Sequence, residues 1–482
     1  LPEKDAKEVM AMFTEKIIAT IGPSSASYET LSRIIKEGAS CIRINFSHGD
    51  ENSWKNYIKL IREVEEDLGK IIAIMGDLSG PSVRIGALKE DIILKKGEEA
   101  FFVYKNNHEE GSKEIPLPIK KFFETVSEGD ILLLDDGLIR LSVEEVIEDC
   151  VRFRALTDAT IKSRKSVVIL GKDLKLPPIT ERDMKALKSV VKNGEVDILG
   201  LSYVKSVSDI ATIKDVLSEL GIEGIKLASK IETKSAVSNL HDIIEHSDYI
   251  VVARGDLGMH FPLEDVPRLQ SKIIRAALIH GKPVYVATQV LASMVERSVP
   301  TRSEIVDVVH AVYEGVDGFL VTGETAVGKN PDKVVKWLRK ILECYRADVE
   351  SLRSRILKER ERLKIAVSLR DKFAEGIVTL SENLGAKLAV YTKTGGLARR
   401  ISKYRPKEPF YAGSSDIRVL RQLAPLYGTM PVKVSLGDYS QGLKEMFERL
   451  KTLGEISYGE VVVLTYGLRD EPRHLVEILK VV

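Results

Sequence analysis

Two short runs, Ser229-Lys230-Ile231-Glu232 and Ala253-Arg254-Gly255-Asp256-Leu257-Gly258, carry the residue types that chemistry around a hard divalent cation needs. Each ends an apolar run of strand character. Period-two alternation puts Lys230 and Glu232 on one face. There they could form a structural ion pair. Alternatively, the carboxylate could coordinate a metal while the ammonium neutralises charge building on a transferred group. Asp256 lies between glycines, which allow a ligand to approach the backbone closely. Glu232 and Asp256, from neighbouring strands, could share one Mg2+ or Mn2+, leaving its other positions to substrate and water.

Polar residues recur at other strand ends. In Arg43-Ile44-Asn45-Phe46-Ser47-His48-Gly49, alternation gathers Arg43, Asn45 and Ser47 on one face, suited to a phosphate or a cation site, or simply to a solvated strand end. Asp77, with a turn behind it, reads by itself more readily as a helix cap or turn former than as a ligand. Thr288, in Ala287-Thr288-Gln289, has the residue type of a helix N-cap, and beside a metal it could position a proton donor or water. No GxSxG, HExxH, GxxxxGK[ST] or CxxC is present, and the 8 histidines do not cluster.

The elements that must position these groups follow from the alternation of short apolar runs with amphipathic stretches. Strands are predicted at Lys16–Ile21, Cys41–Phe46, Ile71–Gly76, Asp197–Leu201, Gly224–Ser229, Asp248–Val252, Pro283–Ala287 and Gly318–Val321. Helices such as Tyr28–Glu37, Asp183–Lys192, Asp209–Leu220 and Leu263–His280 lie between them. Near-continuously apolar strands suit a parallel sheet buried on both faces, and a closed (β/α)8 barrel is the economical arrangement, with a doubly wound open sheet as the alternative. Between the third and fourth strands the helical rhythm gives way to short alternating runs and turns such as Asp135-Asp136-Gly137, as an inserted β-rich lid would. A helix over Pro331–Leu352 closes the barrel. The charged stretch Arg353–Lys364 reads as a connection to a C-terminal open α/β unit with strands near Leu388–Tyr391, Pro409–Ala412, Val432–Val434 and Val461–Thr465. The expected domains are residues 1–81 with 174–350, residues 82–173, and residues 351–482.

Composition bounds the partners. In 482 residues, 72 Lys and Arg nearly cancel 71 Asp and Glu, which leaves no overall bias toward nucleic acid or anionic membrane. No apolar run approaches the ~18 residues of a membrane span. Leu1–Lys16 lacks a signal-peptide core, so a cytoplasmic location is expected. Cys41, Cys150 and Cys344 have no ligand spacing and are expected to be small buried apolar side chains in a reducing compartment.

Together these stretches resemble the pyruvate kinases, collinearly from about Glu15 to Pro331 and more weakly to the C-terminus. The matching segments are KIIATIGPSS (Lys16–Ser25), RINFSHG (Arg43–Gly49), DLSGP (Asp77–Pro81), Asp135–Gly137, SKIE (Ser229–Glu232), ARGDLG (Ala253–Gly258), ATQ (Ala287–Gln289), PTRSE (Pro300–Glu304) and GETA (Gly323–Ala326). The resemblance implies a barrel A domain, a β-rich B domain inserted after the third strand and an α/β C domain. It also implies phosphoryl transfer between phosphoenolpyruvate and ADP, giving pyruvate and ATP in glycolysis. Lys230 looks like the lysine that stabilises the phosphoryl group in flight, Glu232 and Asp256 like ligands of the essential Mg2+ or Mn2+, and Arg43 like the phosphate-contacting arginine. Thr288 looks like the threonine near the substrate methylene carbon, where it would orient a water, a hydroxyl itself being a weak acid. Ala253, Arg254 and Gly255, with Asp256, match the segment that holds the substrate carboxylate, and Ser202 lies near that pocket. Asn45, Ser47 and Asp77 align with monovalent-cation ligands, and Arg84, Lys165 and His48 with nucleotide contacts.

Departures from the pattern carry expectations too. Leu78 and Ser82 fit neither the potassium-dependent nor the potassium-independent pattern, and K+ is not expected to be required. His260 and His310 stand where the family more often has Glu and Asn. Thr392-Lys393-Thr394-Gly395 resembles an effector-phosphate loop, but Gly396 and Leu397 replace the usual Arg and Ser. A phosphorylated effector other than a sugar bisphosphate, or none, is expected. The resemblance further suggests a homotetramer. A carbon–carbon lyase, a dikinase and a silent metabolite sensor are the competing readings. The β-rich insert, the lack of a phosphohistidine domain and the presence of Lys230, Glu232 and Asp256 respectively argue against them.

Overall fold

Strands without polar alternation are stable only where both faces are covered, and the eight apolar runs meet that condition by closing on themselves. In the computed structural model, which describes residues 14–135, 137–345, 348–435, 437–467 and 474–482, they form one closed parallel barrel. Its strands are β1 (Lys16–Thr20), β2 (Ala39–Asn45), β3 (Ala73–Asp77), β4 (Ile198–Leu201), β5 (Lys226–Ile231), β6 (Tyr249–Ala253), β7 (Val284–Ala287) and β8 (Gly318–Val321), each beside its sequence neighbour, with β8 returning to β1. Predicted and observed strands coincide to within a few residues, and the closed arrangement replaces the open-sheet alternative. Residues 1–13, and Asp136 of the turn Asp135–Gly137, lie outside the described residues.

Helix starts follow side-chain chemistry. Thr180 with Asp183, and Thr301 with Glu304, form reciprocal capping boxes that satisfy otherwise orphaned N–H groups. The first box starts its helix at Glu181, earlier than the predicted Asp183, and the segment ends in a π-turn over Leu187–Val191.

Between β3 and β4 the chain builds a six-stranded sheet and a two-stranded one around their own apolar core, which includes Phe102, Phe122 and Phe153. The short strands Glu114–Pro116 and Ala159–Ile161 had no sequence signal of their own. The C-terminal unit is a five-stranded sheet that is parallel except for His474–Lys480, an added antiparallel edge strand absent from the sequence reading.

Two expectations need correction. The helix expected over Pro331–Leu352 stops at Cys344, and a separate helix, Val349–Arg362, occupies most of the stretch read as a charged connection. Its charges mask an apolar stripe: Leu352 and Ile356 are buried, and the Arg360 guanidinium donates to the carbonyls of Ile279 (2.6 Å) and Leu278 (2.9 Å), closing the C-terminal end of helix Val266–His280. The cysteines also differ from one another: Cys41 is buried in the barrel, Cys150 is half-buried and Cys344 is exposed.

The C-terminal unit seals the floor of the barrel. Tyr249 donates to the Gln422 carbonyl at 2.6 Å, Tyr285 donates to the Pro425 carbonyl, and Gln422 donates to the Gly224 carbonyl at 2.8 Å. Arg421 binds Glu65 through two nitrogens, at 3.0 and 2.6 Å. With the floor closed, the open C-terminal mouth of the strands is where a ligand can enter.

Candidate active site

At that mouth β3 ends in Asp77, 2 % exposed, whose Oδ2 accepts from Arg43 at 2.6 Å and from Lys230 Nζ at 3.2 Å. Burial pushes the Asp77 carboxyl up, but Lys230 and Arg43 outweigh it and hold it below the usual range. Asp77 is therefore a counter-ion shared by two cations, not a helix cap. Arg43 is oriented further by donating to Thr20 Oγ1 at 3.1 Å. Gly200 on β4 makes the room: a Cβ there would lie 2.5 Å from Asp77 Oδ1.

Lys230 and Glu232 leave the end of β5 as alternation requires. Burial alone would lower the Lys230 ammonium, yet Asp77, Glu232 and Asp256 around it raise it, so it stays charged. Glu232 is 1 % exposed, and its Oε1 accepts the main-chain N–H of Tyr203 at 2.5 Å. Burial pushes its carboxyl up to about 8, against the pull of Lys230 and with the repulsion of Asp256 added. Its Oε2 is buried without a hydrogen-bond partner, as a hard-cation ligand would be before its ion arrives. Among the described residues no group of three or more His, Cys, Asp or Glu forms a closed cage. The available donor set is thus two carboxylates with open positions, which fits Mg2+ or Mn2+ completed by substrate and water.

The β6 and β7 ends are tied together. Arg254 donates through Nη1 to both oxygens of Asp307 (2.8 and 2.6 Å) and through Nη2 to the carbonyls of Thr288 (3.0 Å) and Gln289 (2.7 Å). Thr288 and Gln289 both have left-handed backbones, at φ 65° and 52°. That conformation costs a β-branched residue on the order of 1–3 kcal/mol, and Arg254 helps to hold it. Thr288 Oγ1 accepts the Gly255 N–H at 2.7 Å, so it caps the start of helix Arg254–His260 from the neighbouring strand end instead of capping a helix of its own. Ser202, buried beyond β4, donates to the Leu78 carbonyl at 2.7 Å.

The remaining expected residues divide. Asn45 pairs in register with Asp77, and its Oδ1 accepts the Ser47 N–H at 3.1 Å. His48 is exposed on the same loop, and partial burial together with Arg84, Arg182 and Arg43 lowers its pKa. Arg84 donates to Ser82 Oγ at 3.1 Å at the root of the lid. Lys165 is engaged within the inserted β-rich unit, 2.5 Å from Asp135 Oδ1. In the C-terminal unit, Thr392 Oγ1 accepts the Gly395 N–H at 2.9 Å beside a cavity of about 230 Å3 that Thr394, Arg370 and Arg400 also line. Lys393 instead lies over the Tyr439 ring, 4.6 Å from its centroid.

Several residues of these surroundings escaped the sequence reading, Arg370 of the cavity lining among them. Tyr203 could have been found, since it follows Ser202 directly at a strand end. Asp307 and Arg400 sit inside helices with no local signal. Arg182, which clamps the 43–49 loop through the carbonyls of Phe46 (2.5 Å) and Gly49 (2.6 Å), is likewise silent in sequence.

Comparison with known proteins gives a consistent picture. Residues 12–335 match the family model "Pyruvate kinase, barrel domain", and residues 371–482 match "Pyruvate kinase, alpha/beta domain". The chain is 39% identical over 449 residues to a pyruvate kinase of Aeropyrum pernix, covering 93% of this chain and 94% of that one. It is 35% identical over 471 residues to a pyruvate kinase of Pyrobaculum aerophilum, covering 97% of both. Among solved structures, a pyruvate kinase from P. aerophilum superposes with a TM-score of 0.86 at 34% identity, over 97% of this chain and 100% of that one. A pyruvate kinase from Cryptosporidium parvum gives 0.89 at 30% identity, over 97% and 96%.

Proposed function

Since the chain belongs to the pyruvate kinase family and is a phosphotransferase, we propose that it carries the phosphoryl group of phosphoenolpyruvate to ADP, giving pyruvate and ATP, at the mouth of its barrel. The observation that carries this reading is the meeting of Lys230, Asp77, Glu232 and Asp256 around open carboxylate positions. Phosphoryl transfer asks little covalent work of a protein and much positioning and charge neutralisation. The Lys230 ammonium, kept charged by three carboxylates, neutralises the phosphoryl oxygens in flight, and Arg43 donates to the same group.

Glu232 and Asp256 would hold the divalent metal that the family implies, Mg2+ or Mn2+. When bound, that ion supplies Lewis-acid charge neutralisation to substrate oxygens. The segment Ala253–Gly255 holds the substrate carboxylate through main-chain groups, because the Arg254 side chain is already engaged by Asp307 and two carbonyls. Thr288 Oγ1 accepts from Gly255 and keeps its own hydrogen to orient a water that protonates the enolate carbon. The lid excludes bulk water during transfer and brings Arg84 and Lys165, with His48 on the barrel loop, to the nucleotide.

Asn45, Ser47 and Asp77 outline a monovalent-cation position that K+ need not fill, because Arg43 and Lys230 already engage Asp77. The cavity beside Thr392, Thr394 and Gly395 suits a phosphorylated metabolite, with Arg400 and Arg370 supplying positive charge. A homotetramer in the cytoplasm accords with the family; among the described residues no helix is long and apolar enough to cross a membrane. The deciding experiment is ADP-dependent release of pyruvate from phosphoenolpyruvate in the presence of Mg2+. Lys230→Met is expected to lower kcat by about 10²–10³-fold. Absence of pyruvate formation by the wild-type protein would refute the reading.

A further inference from the structure

Tyr203 follows Ser202 in the loop leaving β4, and its backbone is left-handed, at φ 57°. For a bulky aromatic residue that conformation is a true outlier, costing on the order of 1–3 kcal/mol, and it persists only where the surroundings over-determine it. Those surroundings are two carboxylates from different parts of the chain. The main-chain N–H of Tyr203 donates to Glu232 Oε1 at 2.5 Å, and its phenolic oxygen lies 3.5 Å from Asp256 Oδ1. The first contact reaches the end of β5, and the second reaches the helix Arg254–His260 that follows β6. Among the described residues, no other hydrogen-bonds both carboxylates.

The arrangement addresses a physical difficulty. A buried carboxylate and a half-buried one facing it repel when no cation is between them, and a small divalent cation accepts only a narrow range of ligand positions, near 2.0–2.1 Å in octahedral geometry. A donor that holds one oxygen of each carboxylate leaves the other oxygens available to a shared cation. Glu232 Oε2, buried and without a partner, is such an oxygen. A tyrosine hydroxyl carries a hydrogen and a carboxylate only accepts, so the phenol acts toward Asp256 as a donor.

We infer that Tyr203 is a positioning residue that fixes the separation of Glu232 and Asp256, and thereby sets the affinity of the site for a divalent cation. The inference rests on the reading of these two carboxylates as metal ligands. Groups that orient a ligand from behind typically contribute 10–100-fold to metal affinity.

The test uses Mn2+ alone as the probe, titrated into the full-length protein with free ion read by electron paramagnetic resonance, for wild type, Tyr203→Phe, Glu232→Gln and Asp256→Asn. Tyr203→Phe keeps the ring and the main-chain N–H and removes only the hydroxyl. It is expected to bind Mn2+ about tenfold more weakly, with its metal-free melting temperature unchanged, a combination that a merely structural role would not produce. Loss of Mn2+ binding in Glu232→Gln and Asp256→Asn, with wild-type affinity in Tyr203→Phe, overturns the role of Tyr203 and leaves the carboxylate reading standing. Wild-type affinity in Glu232→Gln and Asp256→Asn overturns both.

Discussion

Lys230 Nζ and Asp77 Oδ2 lie 3.2 Å apart across a sequence separation of 153, and the same oxygen is held by Arg43 at 2.6 Å. One buried carboxylate therefore orients the two cations proposed to meet the phosphoryl group. Asp77→Asn removes the charge and keeps the shape. The expected outcome in a coupled pyruvate assay is a fall in kcat of about 10²-fold. Thermal melting should show a loss of roughly 3–5 kcal/mol, since two buried cations are left without their counter-charge.

Gly200 tests the same geometry without touching a charge. An alanine Cβ would sit 2.5 Å from Asp77 Oδ1, so the carboxylate must swing away from Lys230 and Arg43. Gly200→Ala is expected to lower kcat by at least about tenfold, by analogy with the loss of one oriented donor. Gly376→Ala, whose Cβ would meet nothing within 4 Å, serves as the control and should match wild type.

Asp173 anchors the inserted β-rich unit where the chain rejoins the barrel. Its Oδ2 accepts the Ser235 N–H at 2.6 Å, and its Oδ1 lies 3.3 Å from His260 Nδ1, with both side chains under a tenth exposed. Burial pushes the carboxyl up, but the adjacent His260 imidazole and the Ser235 N–H outweigh it and bring it down to about 2. A depressed carboxylate contributes stability that is complete above its unfolded value near 3.8 and is lost as pH falls toward 2. The contribution is on the order of 2 kcal/mol. Protection factors for amide exchange across residues 82–173, taken relative to the intrinsic rate at each pH, should therefore fall in wild type as pH drops from 4 to 2 (roughly, from the two pKa values), while Asp173→Asn should show the lowered protection already at neutral pH.

Potassium gives an independent check. With Asp77 Oδ2 occupied by two fixed cations, turnover in a potassium-free, Mg2+-containing assay is expected to change less than about twofold on adding K+, whereas a monovalent-dependent site would be activated strongly. A large rise would show that Asn45, Ser47 and the free Asp77 Oδ1 bind the ion after all.

What could be read from residue order is whatever depends on neighbours in the chain. The eight strands were recognisable because each is a short unbroken apolar run, and burial on both faces leaves that mark locally. Lys230 and Glu232 were recognisable because alternation along one strand puts them on one side. The lid announced itself by a change of period. Short pieces without a pattern, such as Glu114–Pro116 and His474–Lys480, did not, because pairing with a distant strand, not local preference, makes them strands.

Tertiary structure alone decided the partners. Asp77 read more readily as a cap or turn former than as a ligand until folding brought residues 43 and 230 to the same oxygen. The stretch Arg353–Lys364 looked like a solvated connection because its buried arginine finds its acceptors about 80 residues away, at 278 and 279. Thr288 became a cap for a helix on another strand. Charge and hydrogen-bond complementarity act over a few ångströms of space, whatever the distance along the chain, so residue types and local spacing supplied the inventory of groups and the closed barrel determined which of them meet.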